Sequence, residues 1–138
     1  MKRLVIFFFI LIHLNCSKNP EPYIQYLDGY WEIEKVILAS GEEHNYSYNE
    51  FIDYFKLTDS LTGFRKKLKP ALNNTFEASD DVEFFKLKIE HDSLNIYYHT
   101  NFSNWKETIL LASKTELKII NEEKNIYIYK PYKPLNLD

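Results

Sequence analysis

Short runs of β-forming residues, separated by turn residues, fill the chain from residue 28 onward. In the run Phe51–Thr58, Phe51, Asp53, Phe55 and Leu57 alternate with Ile52, Tyr54 and Lys56, as expected for a strand with two distinct faces. The other predicted strands are Tyr30–Ala39, Phe64–Leu68, Thr75–Ala78, Phe84–Glu90, Leu94–Thr100, Trp105–Ala112, Glu116–Ile120 and Asn125–Lys130, with His44–Asn49 as a loop. No stretch repeats apolar residues at helical spacing over three turns. The pattern predicts an all-β domain, a small antiparallel up-and-down barrel of about eight to nine strands.

The N-terminal segment has a different pattern. A basic head, Met1–Arg3, precedes an apolar run from Leu4 to Leu14 that is too short to span a bilayer. We therefore expect residues 1–15 to be a signal peptide. Cys16, the one cysteine of the chain, stands directly after it. The position resembles that of the lipidated cysteine of bacterial lipoproteins, and plain secretion is the alternative.

The predicted boundaries follow from these patterns. Residues 16–28 are expected to form a lipidated cysteine and an extended tether, since they contain two prolines and no periodicity. The barrel is expected over 29–132, and 133–138 is a tail. Removal of 1–15 takes away Lys2 and Arg3 and moves the formal charge from −3 to −5. An acidic mature domain argues against a nucleic-acid partner.

Several segments together resemble a known family. They are Gly29-Tyr30-Trp31, Ile52-Asp53-Tyr54-Phe55, Gly63-Phe64-Arg65-Lys66-Lys67, Trp105-Lys106-Glu107 and Tyr127-Ile128-Tyr129-Lys130. They look like the lipocalin-like envelope lipoproteins of the Bacteroidetes, over roughly residues 28–132. The resemblance implies a barrel that holds a small apolar or amphipathic molecule. It also implies that Trp31 packs across the barrel floor, where lipocalins often add an arginine near the last strand; this chain has Lys130 there.

An eight-stranded barrel has an interior that side chains fill or that holds one small ligand. Aromatic and charged residues of the predicted strands are the candidates for lining such a site. They are Trp31, Phe55, Phe64, Arg65, Lys66, Tyr98, Trp105, Glu107 and Tyr127. The same aromatic residues also suit a solid core, so a cavity and a packed interior both remain open at this point.

The facing of the charged candidates follows from alternation. Phe64 and Leu68 share a face with Lys66, which predicts that Lys66 points inward and that Arg65 and Lys67 point outward. The alternative is a solvated outer face for all the basic residues. Glu107 shares a face with Trp105, so it is a candidate inward carboxylate. If Lys66 and Glu107 both face inward, we expect a structural ion pair between them rather than a binding site.

No catalytic signature is present. The chain has no nucleophile motif and no phosphate-binding loop, and its histidines lack the spacing of metal ligands. We therefore expect a non-enzymatic protein without cofactor or metal that binds a small amphiphile in its lumen. Its expected location is the cell envelope, anchored by lipid at the outer membrane. The alternative is a solid barrel that acts as a protein–protein interaction module.

Overall fold

The computed structural model describes residues 18–134. The predicted signal peptide, Cys16 and the last four residues of the tail lie outside the described residues. The strands are β1 Gly29–Ile37, β2 Glu43–Asn45, β3 Ile52–Asp59, β4 Thr62–Pro70, β5 Phe76–Glu90, β6 Ser93–His99, β7 Asn104–Ala112, β8 Leu117–Asn121 and β9 Ile126–Pro131. A 3₁₀ turn, Glu21–Tyr23, leads into the single-turn helix α1, Ile24–Leu27, and a second 3₁₀ turn covers Leu72–Asn74. These helical turns are too short to cross a bilayer.

The strands form one antiparallel sheet that closes on itself. Its order is β2-β1-β3-β4-β5-β6-β7-β8-β9, and β1 also pairs with β9. Eight strands therefore make a closed barrel, and β2 is added beside the later part of β1, where Lys35 lies opposite Asn45. The predicted all-β barrel of eight to nine strands is confirmed.

The helical turns close one end of the barrel, which we call the capped end. Leu27 is fully buried in the core, and the indole Nε1 of Trp31 donates a hydrogen bond to its carbonyl oxygen at 3.0 Å. Gly29, between them, has φ +145°, a conformation that other residues rarely adopt. The expectation of an extended tether up to residue 28 is wrong for residues 21–27, because their apolar side chains pack against the core.

Two strands also differ from the expected pattern. Residues 43–45 form β2 where a loop was predicted; all three are exposed, so they show no alternation. The segment 76–90 is one strand of fifteen residues rather than two. Its pairing with β4 shifts register between Lys66 and Leu68, opposite the polar residues 79–81, which interrupt the hydrophobic pattern without ending the strand.

The core depends on one close approach between strands. A Cβ atom at Gly63 would lie 2.2 Å from the Lys56 carbonyl oxygen and 2.8 Å from Cζ of Phe85. Only glycine therefore lets the ring of Phe85 pack over β4 inside the barrel. The core around it consists of Leu27, Trp31, Phe55, Phe85, Leu87, Leu94, Ile96, Tyr98, Ile109, Ala112, Leu117, Ile119 and Tyr129.

Candidate functional site

Arg65 points into the barrel, so the predicted facing of β4 is wrong. Arg65 is only 8% exposed, whereas Lys66 lies on the outer face with its Nζ 5.9 Å from the ring centre of Phe64. Phe64 is also outside, in edge-to-face contact with Tyr54 and Phe84. The prediction failed because it treated Phe64 as a core residue, although aromatic side chains also cover the outer face of this barrel.

Arg65 is held by two carboxylates inside the barrel. Its Nε lies 2.5 Å from Oε2 of Glu83 on the neighbouring strand, and its Nη1 lies 3.2 Å from Oε2 of Glu107 on β7. The guanidinium also lies over the Tyr98 ring, 4.5 Å from its centre. Glu107 thus faces inward, as predicted, and forms a structural ion pair, but with Arg65 in place of Lys66. Because these contacts compensate the Arg65 charge within the barrel, we assign Arg65 a structural role.

Burial changes the titration of this cluster. It raises the pKa of Glu107, and the positive charge of Arg65 only partly offsets the effect. Burial also raises the pKa of Tyr98 and of Tyr129 well above the usual range of a phenol, so both are neutral at physiological pH.

The aromatic candidates fill most of the interior. Tyr98 stacks on Trp105, with ring centres 4.9 Å apart, and contacts Phe85 edge-to-face. Phe55 is fully buried, and Tyr127 packs against the core and accepts a hydrogen bond from Asn121. Of the predicted lining residues, Trp31, Phe55, Arg65, Tyr98, Trp105, Glu107 and Tyr127 face inward and Phe64 and Lys66 face outward. Most of the inward set forms packed core.

A cavity of about 330 Å³ remains where β1 and β3 separate, and we call it the mouth pocket. Trp31, Ile33 and Asp53 line its inner part, and Tyr48 and Phe51, from the segment before β3, line its outer part. The side-chain amide of Asn49 donates to the Ile33 carbonyl oxygen at 2.8 Å, which ties this segment to β1. The pocket therefore combines aromatic walls with a polar inner end.

The polar inner end is an ion pair with unequal burial. Nζ of Lys67 lies 2.5 Å from Oδ1 of Asp53; the side chain of Asp53 is 3% exposed and that of Lys67 is 56% exposed. The fixed charge of the pocket is thus the carboxylate, while the lysine extends into solvent. Our list of lining residues missed Asp53, although its place between Phe51 and Phe55 in an alternating strand is a sequence signal for an inward carboxylate.

A larger cavity, about 930 Å³, lies on the outer face across β4–β7, and we call it the outer groove. Among its lining residues are Phe84, Lys86, Tyr97, His99 and Lys106, which alternate with inward residues of the same strands. No group of three or more histidine, aspartate or glutamate side chains within residues 18–134 is arranged to hold a metal ion.

We compared the chain with known proteins. No family model and no curated protein matches the sequence. Two solved structures are similar in fold. One is described as a lipocalin-like protein from Bacteroides uniformis ATCC 8492, with 11% identity and TM-score 0.48, covering 77% of this chain and 98% of that one. The other is an uncharacterized protein from Bacteroides eggerthii DSM 20697, with 10% identity and TM-score 0.49, covering 77% and 99%. The closed strand order of the chain itself defines an eight-stranded antiparallel barrel.

Proposed function

We propose that this chain is a non-enzymatic envelope lipoprotein that binds a small amphipathic molecule at the mouth pocket. The observation that carries the proposal is the pocket itself, in which aromatic side chains lead to a buried carboxylate. A volume of about 330 Å³ lies at the small end of the range of ligand sites, about 300–1,000 Å³. The ligand is therefore smaller than one that fills a whole barrel lumen.

Unequal burial of the ion pair selects the head group of the ligand. Asp53 must keep a partner, because an unpaired buried carboxylate is costly. Lys67 is more than half exposed and can move into water at little cost. A ligand with an ammonium group or another hydrogen-bond donor can therefore replace Lys67 at Asp53. An anionic ligand would meet the carboxylate and be repelled.

A matched pair of probes tests this head-group preference. Phenylbutylamine and phenylbutyrate share an aromatic tail and differ in the sign of the charge. Calorimetric titration measures the affinity of both probes for the full chain with Cys16→Ala, a change that removes the acylation site. We expect Asp53→Asn to weaken phenylbutylamine binding by about tenfold, as for loss of a charged hydrogen bond, and to leave phenylbutyrate binding unchanged.

Asp59→Asn serves as the control, because Asp59 is an exposed carboxylate at the β3–β4 turn of the capped end. This variant should bind both probes as the parent does. Equal affinity of phenylbutylamine for the parent and for Asp53→Asn, or no binding at all, would refute the site.

Lipid anchoring through Cys16 is the second part of the proposal. It is supported by the sequence pattern alone: a basic head, a short apolar run and one cysteine directly after it. In fractionated source cells, Cys16→Ala should move the protein from the membrane fraction to the soluble fraction. Persistent membrane association of this variant would disprove the anchor.

A further inference from the structure

The outer groove has a defined floor and two walls. The sheet pairs Gly63 with Phe85, Phe85 with Tyr98 and Tyr98 with Trp105, and the main chain of this row forms the floor. Because these side chains point inward, the rows on either side point outward and form the walls. A ligand in the groove therefore lies on the barrel surface, outside the lumen.

One wall carries two positive charges in register. Lys86 lies opposite Tyr97, which lies opposite Lys106, so the two lysines flank the tyrosine on neighbouring strands. Two strand spacings place their Cα atoms about 10 Å apart, within the joint reach of both side chains. Neither lysine lies within 4.0 Å of a carboxylate of residues 18–134. The charge of Lys106 interacts with Glu90 at longer range, but neither lysine is held in an ion pair, so both ammonium groups can contact a ligand.

The tyrosine between the lysines is held in place. Its hydroxyl donates a short hydrogen bond to Oε2 of Glu90, and Nζ of Lys88 lies 5.2 Å from the centre of its ring. The same carboxylate oxygen accepts a bond from the Asn95 amide at 2.8 Å. The hydrogen bonds from Tyr97 and Asn95 lower the pKa of Glu90. The wall is thus preorganised before any ligand arrives.

The opposite wall has one apolar residue, Phe84, followed by the polar residues His99 and Asn104. Phe84 is 58% exposed, and it lies opposite His99 in the sheet. His99 Nδ1 lies 2.5 Å from Oδ1 of Asn104, which fixes the imidazole. Glu122 is the one carboxylate among the lining residues, against Lys86 and Lys106. The groove therefore offers an exposed aromatic ring facing two unpaired ammonium groups.

We propose that the outer groove is a second binding site, for an amphiphile with one anionic head group and an apolar body. The head group lies between Lys86 and Lys106 above Tyr97, and the body packs across the groove against Phe84. Carboxylate and phosphate head groups share the required charge and acceptor oxygens. This site does not depend on the mouth pocket, since it uses different residues and the opposite charge.

Titrations with phenylbutyrate, phenylbutyl phosphate and phenylbutylamine test the groove on the full chain with Cys16→Ala. Lys86→Gln and Lys106→Gln should each weaken binding of phenylbutyrate by about tenfold, as expected for a charge-assisted hydrogen bond. Phe84→Ala should weaken it by about threefold, since an exposed ring loses only part of its contact. A larger effect of the lysine changes on phenylbutyl phosphate would identify phosphate as the preferred head group.

Two variants are the controls. Lys118→Gln removes a lysine on β8 that pairs with Glu116, and Asp53→Asn alters the mouth pocket. Both should bind phenylbutyrate as the parent does. Phe84 and Lys86 are exposed, and Lys106 and Lys118 are half-buried on the outer face. None of these four side chains is part of the core, so a folding defect is not expected, and circular dichroism checks this. Unchanged affinity in Lys86→Gln and Lys106→Gln, or equal binding of phenylbutylamine in the groove, would overturn the proposal.

Discussion

At the scale of single residues, charge inside the barrel has two different uses. Arg65 is enclosed by Glu83, Glu107 and the Tyr98 ring, so its charge is balanced within the core. Asp53 is equally buried, but its partner Lys67 reaches solvent. The Arg65 network, whose three side chains are at most 28% exposed, stabilises one packing arrangement, whereas Asp53 can exchange its solvent-exposed partner Lys67 for a ligand. This difference is why we place the ligand at Asp53.

Replacement of Arg65 by methionine should lower the free energy of unfolding by about 3–5 kcal/mol, because two carboxylates lose a buried partner. Lys66→Met, one residue away on the outer face, should leave the free energy of unfolding nearly unchanged. Urea denaturation of both variants measures the difference. Similar losses in the two variants would contradict the facing of β4 described above.

Glu107 should make stability depend on pH. Its pKa is raised in the folded state by burial, so the folded protein binds this proton more tightly than the unfolded chain does. The stabilisation is complete below the unfolded pKa and is lost as pH rises through the folded pKa. Relative to Glu107→Gln, the parent should therefore gain stability as pH falls. Urea denaturation of both proteins from about pH 8 to about pH 4 tests this; a parallel pH dependence would show that Glu107 is not responsible.

At the scale of elements, the strands follow from the sequence and the capping turns do not. Alternating apolar positions and turn residues identify most of the barrel, because a strand with one buried face has period two. The turns over 21–27 are too short to show helical periodicity, and Pro20 and Pro22 lie at their start. Only their packing against the core reveals them. β4 could not be oriented by hydrophobicity, since Phe64 on its outer face is as apolar as core residues. Arg65 is inside because Glu83 and Glu107 are there to pair with it, and such pairing depends on strand register.

The capping turns should loosen when their bond to β1 is removed. Trp31→Phe deletes the Nε1 hydrogen bond and leaves the buried Leu27 carbonyl without it, which costs about 1–3 kcal/mol. Hydrogen exchange of amides in 21–28 should become faster than in the parent. The control variant Trp105→Phe makes the same chemical change on β7 and should not affect hydrogen exchange in 21–28. If both variants accelerate exchange equally, the hydrogen bond from Trp31 to Leu27 does not hold the capping turns.

At the scale of the whole molecule, the packing of the capping turns against the barrel leaves only a short segment between the predicted lipidation site and the barrel. Five residue steps separate Cys16 from Glu21, a span of at most about 18 Å. If Cys16 carries lipid, the capped end must therefore lie near the bilayer. The mouth pocket lies where β1 and β3 separate, and the segment before β3 forms its outer part. We expect this side of the barrel to stay accessible from the aqueous phase.

This orientation can be measured with fluorescent labels on single cysteines. Leu61→Cys lies in the β3–β4 turn at the capped end, and Phe102→Cys lies in the β6–β7 loop at the other end. In lipidated full-length protein on vesicles, brominated lipids should quench the label at 61 more strongly than the label at 102. Equal or reversed quenching would contradict the orientation, whereas failure to associate with vesicles would contradict the anchor.

The most direct test of the central claim is to map bound phenylbutylamine by amide chemical shifts in the full chain with Cys16→Ala. The mouth pocket predicts saturable shifts concentrated at 31–33, 46–53 and Lys67, and their loss in Asp53→Asn. Shifts centred on the outer groove or the core around Tyr98, or no saturable shifts, would contradict a ligand site at the mouth of this barrel.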